Sequence, residues 1–195
     1  MAQRLVFLVL LSVATLQAAG CSAASLFKVK PATELPPLPD SAKHADLGGV
    51  TIRVAPLLTD EEGQNLFEAN LPLSGVFPLR VELRYESGVP VEIKQARFRL
   101  RDNQGSEWKL LSPKQAVSRI LKANGVFAYN PHSRKEFEKE FAAYALDLQT
   151  PLSASEPTHQ GFLFFQSPTK RPVESGDKLT LTVERLTQTA TIALN

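Results

Sequence analysis

The sequence predicts a mainly β domain, an antiparallel two-sheet sandwich with a two-helix insert at about residues 112–148. Three observations predict it. Seven segments carry strand patterns, either alternating apolar and polar residues or short apolar runs. Turn residues separate most of them at short intervals. Two amphipathic helical patterns interrupt the series between the fourth and fifth strands.

In chain order, a leader comes first. Residues 1–4 carry one charge, Arg4, and residues 5–16 are apolar apart from Ser12 and Thr15. Twelve residues are too few to span a bilayer, which needs about 20, and suit the core of a secretory signal peptide. Ala18, Ala19, Gly20 and Cys21 follow. This run resembles the lipobox of bacterial lipoproteins, with Ala18 standing where Leu is commoner. The resemblance implies that the Cys21 sulfur receives a diacylglycerol, that cleavage precedes Cys21, and that the new amino group is acylated. An ordinary signal peptide cut near Ala19 is the alternative. Against it, Cys21 is the only cysteine in the chain, and a lone cysteine in a secreted protein needs a reason. Ser22, where Asp would retain a Gram-negative lipoprotein in the inner membrane, implies an outer-membrane address facing the periplasm if the source is Gram-negative.

Removing residues 1–20 from 195 leaves 175, enough for one well-buried domain and short for two. The remaining chain is nearly neutral, with 20 acidic residues and, once Arg4 is removed, 21 basic ones. No electrostatic case for nucleic acid exists. Residues 21–49 contain Pro31, Pro36, Pro37 and Pro39 and no hydrophobic period. They read as a lipid-anchored, Pro-rich tether with a reach of up to ~85 Å.

The domain is expected over residues 50–195. Residues 50–57 alternate around Val50, Ile52 and Val54. Thr59 caps a short helix. Residues 77–86 are the clearest strand, with Phe77, Leu79, Val81, Leu83 and Tyr85 on one face. A turn at 87–90, a strand at 91–101 bent near Gln95 and Ala96, a turn at 102–105 and a strand at 106–111 form a meander. Ser112 and Pro113 start one helix, which Asn124 and Gly125 end. Ser133 and Glu136 have capping-box spacing for a second, whose apolar face is Phe137, Phe141, Tyr144 and Leu148. Strands at 159–166, 178–186 and 189–194 complete the chain. Trp108 is expected to be buried where the sheet turns into helix, near Ile120 and Leu121 or Phe137 and Phe141.

Four stretches, GVPVEI at 88–93, RLRDNQG at 99–105, GFLFF at 161–165 and GDKLTL at 176–181, resemble secreted bacterial domains of the immunoglobulin-like, telokin-like class. The resemblance runs over roughly residues 50–195 and implies an immunoglobulin-like β-sandwich. The helical insert departs from that class.

Catalytic patterns are thin. His44, His132 and His159 fall in no Gly-x-Ser-x-Gly or His-Glu-x-x-His spacing. Asp60, Glu61 and Glu62 read as a solvated helix start, and no calcium loop or Gly-rich phosphate loop occurs. No cofactor or metal is expected. Phe127, Tyr129, Phe137, Phe141 and Tyr144 lie within eighteen residues. They either pin the helices to the sheet or form an aromatic patch for a partner protein or glycan. Two roles follow. One is a non-enzymatic envelope lipoprotein that binds or scaffolds another envelope component, with the membrane as partner through its anchor. The other is a lipid-anchored envelope enzyme acting on glycan, using acids such as Glu136, Glu138 or Glu140, although their basic neighbours suit a charge-paired helix face.

Overall fold

The structure, a computed structural model, describes residues 27–127, 130–174 and 178–194. Its strands are β1 (Lys43–Asp46), β2 (Val50–Pro56), β3 (Val76–Tyr85), β4 (Arg97–Arg101), β5 (Glu107–Leu111), β6 (Thr158–Gln166), β7 (Thr180–Glu184) and β8 (Ala190–Ala193). Its helices are α1 (Asp60–Phe67), α2 (Pro113–Ala123) and α3 (Pro131–Ala142). The strands pair antiparallel throughout, in the order β1-β2-β3-β6-β5-β4-β7-β8. β5 is the joint: Glu107 and Trp108 pair with β4, whereas Lys109, Leu110 and Leu111 pair with β6. The two expected layers are therefore continuous through β5. The far edges approach each other, since the Thr187 hydroxyl just before β8 donates to the Leu47 carbonyl just after β1. The result is one near-closed sheet.

Two apolar cores flank this sheet. The inner one gathers alternate residues of β2, β3, β6 and β7, among them Ile52, Leu79, Phe165 and Leu181. The outer one lies between the sheet and the helices: Phe162 and Phe164 of β6 meet Phe67 of α1, Ile120 of α2 and Phe141 of α3. A strand buried on both faces needs apolar residues at successive positions. That is why β6 reads as a continuous run, Phe162 to Phe165, where β3 alternates.

The helices form where their caps direct. Ser112 and Gln115 make a reciprocal capping box on α2. The second helix of the insert begins earlier than Ser133. Asn130 caps it, accepting from the His132 amide at 2.9 Å, and Pro131 takes the first helical position. It also ends earlier, at Ala142, because Ala145 is drawn into a parallel bridge with Phe162. That bridge brings backbone so close to Gly161 that a Cβ there would lie 2.6 Å from the Leu146 nitrogen.

Three expectations fail. Residues 87–96 do not make a hairpin: β3 pairs with β2 and β6, and β4 with β5 and β7. The bend near Gln95 and Ala96 is real, with the Ala96 amide donating to the Ile93 carbonyl at 3.0 Å. It ends the ladder rather than bulging it, and Val91 bridges to Leu152 instead. Trp108 is half-buried and packs edge-on to Phe77 at 5.7 Å, in the inner core. The stripes of α2 and α3 lie in the other core, so Trp108 does not join them. Finally, residues 27–49 are no free tether. They include β1, and Val29, Leu38 and Leu47 are buried against the domain. Proline removes amide donors but not carbonyl acceptors, and it is the carbonyls of the proline run that the domain holds.

Candidate functional site

The arm, residues 27–39, lies over the outer face of β2 and β3 and beside α1. Three groups of side chains and backbone hold it. The Lys30 amide donates to the Leu66 carbonyl at 3.0 Å, and the Lys28 amide to a Glu68 carboxylate oxygen at 2.6 Å. The Tyr144 hydroxyl donates to the Lys30 carbonyl at 2.8 Å, and burial raises its pKa above the ordinary 10.0, with Glu34 adding to the effect. Further on, Arg53 donates to the Pro39 carbonyl at 3.2 Å while pairing with Glu82 at 3.3 Å. Arg80 donates from Nη1 to the Pro37 carbonyl at 3.3 Å and from Nη2 to the Pro36 carbonyl.

Between arm, sheet and α1 a cleft of about 370 Å³ remains. Ala55, Leu57 and Leu66, all buried, give it an apolar side. Lys30, Glu34, Glu62 and Asn65 line it with exposed polar side chains. Arg80 also lines it and is only 6 % exposed. A guanidinium has five N–H donors. Among the described residues Arg80 commits Nη1 and Nη2 to carbonyls, its Nε has no partner, and no carboxylate forms an ion pair with it. Burial works against its charge, the Glu82 carboxylate supports it and Arg53 opposes it. A buried, unpaired cation is costly unless an anion or a full set of acceptors meets it. The cleft thus combines an apolar side with an under-satisfied positive group.

A second hollow of about 320 Å³ lies beside Trp108, with Asp102, Ser106, Thr169 and Val173 among its walls. The indole Nε1 is buried there without a partner among the described residues.

The aromatic residues singled out in sequence do not form one surface. Phe137 and Phe141 are fully buried and Tyr144 is 1 % exposed. Phe141 and Tyr144 pack with Phe67, Phe162 and Phe164 at ring separations of 4.7–6.0 Å, and Phe137 packs with Phe27 at 5.0 Å and Phe141 at 5.8 Å. They pin the helices to the sheet, and an aromatic patch made of them is excluded by their burial. Phe127 alone of the four described is exposed, at 77 %. Tyr129 and Cys21 lie outside the described residues.

The remaining candidates are dispersed. His44 is on β1 and His132 in the first turn of α3, both exposed. His159 is buried, its Nδ1 3.1 Å from the Asp147 carbonyl. On α3, Glu138 pairs with Arg134 at 2.7 Å and Glu136 with Lys139 at 3.9 Å, a charge-paired face. One oxygen of Glu140 is buried without a hydrogen-bond partner among the described residues. Among those residues no group of three His, Cys, Asp or Glu could hold a metal, and no helix is long and apolar enough to cross a membrane.

Arg80 carried little sequence signal, because it occupies a polar position of an alternating strand. What marks it is the arm that folds over it, forty-three residues away at Pro37. No family model, curated protein or solved structure matches this chain.

Proposed function

We propose that this chain is a non-enzymatic, lipid-anchored envelope protein that binds another envelope component in the cleft around Arg80. The observation that carries the proposal is the buried guanidinium with uncommitted donors in a cleft of about 370 Å³. That volume falls within the range of small-molecule pockets, about 300–1,000 Å³. The lipobox-like run ending at Cys21 supports the anchor, and Ser22 supports an outer-membrane address facing the periplasm. The immunoglobulin-like sandwich belongs to the same proposal: β5 divides the sheet into two halves with the inner core between them. The docked arm shortens the leash. Six residue steps separate Cys21 from Phe27 and span at most about 20 Å, so the cleft would work close to the bilayer.

A photo-crosslinking residue at Asn65, in the cleft wall, tests this in intact cells. The expected result is an adduct of one discrete mass that disappears in the Arg80→Gln variant and is not formed from Gln104 on the far hollow. No adduct from position 65, or the same adduct from position 104, overturns the proposal.

A further inference from the structure

We propose that the Arg80 cleft takes a zwitterionic, amino-acid-like group, with its carboxylate toward Arg80, its amine toward Glu34 and Glu62, and an apolar body against Ala55, Leu57 and Leu66. This rests on the binding function proposed above and names its ligand class. Three observations carry it. First, Arg80 lines the cleft, and its Nη1 and Nη2 each give only one N–H to an arm carbonyl, so each keeps a second donor; a carboxylate is the planar acceptor that matches such a pair. Second, the charges lining the cleft are mixed. Glu34 and Glu62 stand against Lys30, so a phosphate that reached Arg80 would also face two carboxylates, whereas an ammonium group would meet them favourably. Third, these acids are not consumed elsewhere. The Glu34 carboxylate makes no hydrogen bond or ion pair with the described residues, and the Glu62 carboxylate accepts only from the Thr59 hydroxyl, at 2.6 Å. The buried apolar wall then selects a ligand whose centre is hydrocarbon.

A free amino acid and the end of a peptide share this chemistry. Calorimetric titration of the purified full chain in mild detergent with leucine, dileucine, leucine amide, N-acetyl-leucine and inorganic phosphate separates them. Leucine or dileucine is expected to bind, and whichever binds tighter identifies the source. Leucine amide, without the carboxylate, and phosphate are expected to show no heat. N-acetyl-leucine is expected to bind at least tenfold more weakly than leucine, and that difference should shrink in Glu34→Gln, an exposed substitution that leaves the fold alone. Arg80→Gln should abolish binding. Should that variant fail to fold, the wild-type panel still decides. Phosphate binding as tightly as leucine, amide binding equal to acid, or silence from both leucine and dileucine overturns the ligand class. A negative panel together with an Arg80-dependent adduct at position 65 would leave the partner-binding cleft standing and remove only this inference.

Discussion

Tyr144 ties the helical insert to the arm by hydrogen bonds. Its ring belongs to the outer core, and its hydroxyl reaches the Lys30 carbonyl at 2.8 Å and the Pro31 carbonyl at 3.3 Å. Tyr144→Phe keeps the ring and removes the donor, so the expected cost is about 1 kcal/mol, read as a lower denaturation midpoint. The pH dependence has a definite sign. The folded-state pKa lies above the ordinary value of 10.0, because burial and Glu34 both disfavour the phenolate. The contribution is fully present below that ordinary value and is lost as pH rises through the raised one. Midpoints measured up the alkaline limb should therefore fall less steeply in Tyr144→Phe than in the parent; equal slopes would count against the assignment. Gly161 is a second point of tight fit. A Cβ would meet Leu146 nitrogen at 2.6 Å and the Ala145 carbonyl carbon at 2.8 Å, both backbone atoms with no freedom to swing aside. Gly161→Ala is expected to cost about 1–3 kcal/mol, and a variant as stable as the parent would mean that the bridge to Ala145 is not maintained.

At the scale of elements, the arm is where sequence and structure part most. Residues 35–39, Leu-Pro-Pro-Leu-Pro, have the composition of a spacer. Two arginines on the sheet nevertheless donate to the carbonyls of Pro36, Pro37 and Pro39, and Leu38 is buried. A chain beginning at Gly49 also loses β1 and Leu47 and uncovers the edge of β2. Against a chain beginning at Ser22, it should be destabilised by about 3 kcal/mol or more, since each large aliphatic side chain contributes about 1.5–3 kcal/mol on burial. Thermal melting of the two checks this, and equal melting temperatures would return the arm to the status of a tether. The strong elements were legible because each carried a complete local signal. β3 shows five alternations, and α2 shows a capping box, a proline at its start and Asn124-Gly125 at its end. β1 was not legible, because Lys43, His44 and Asp46 are all exposed and its one edge pairs with β2.

For the whole molecule, the proposed lipid anchor and the docked arm would act together. Cys21→Ala is expected to abolish incorporation of labelled fatty acid and to leave an uncleaved or soluble product; wild-type protein that takes up no label would remove the anchor altogether. With the anchor in place, a leash of at most about 20 Å to Phe27 replaces the ~85 Å reach of a free tether. The arm forms one wall of the cleft and, with the proposed anchor, would set its height above the bilayer.

The sequence by itself determined the local features: the mainly β class, the two helices of the insert and the identity of most strands. These depend on composition, alternation, caps and turn residues that lie within about fifteen positions of one another. Only the tertiary structure decided the pairing order, the division of the aromatics between two cores and the cleft itself. Sheet order depends on which strands meet across long loops, and β3 meeting β6 rather than β4 leaves no mark within either strand. The state of Arg80 is likewise set by groups far along the chain, namely the carbonyls of Pro36 and Pro37. A carbonyl is present at every residue, so no pattern of side chains could have singled those two out.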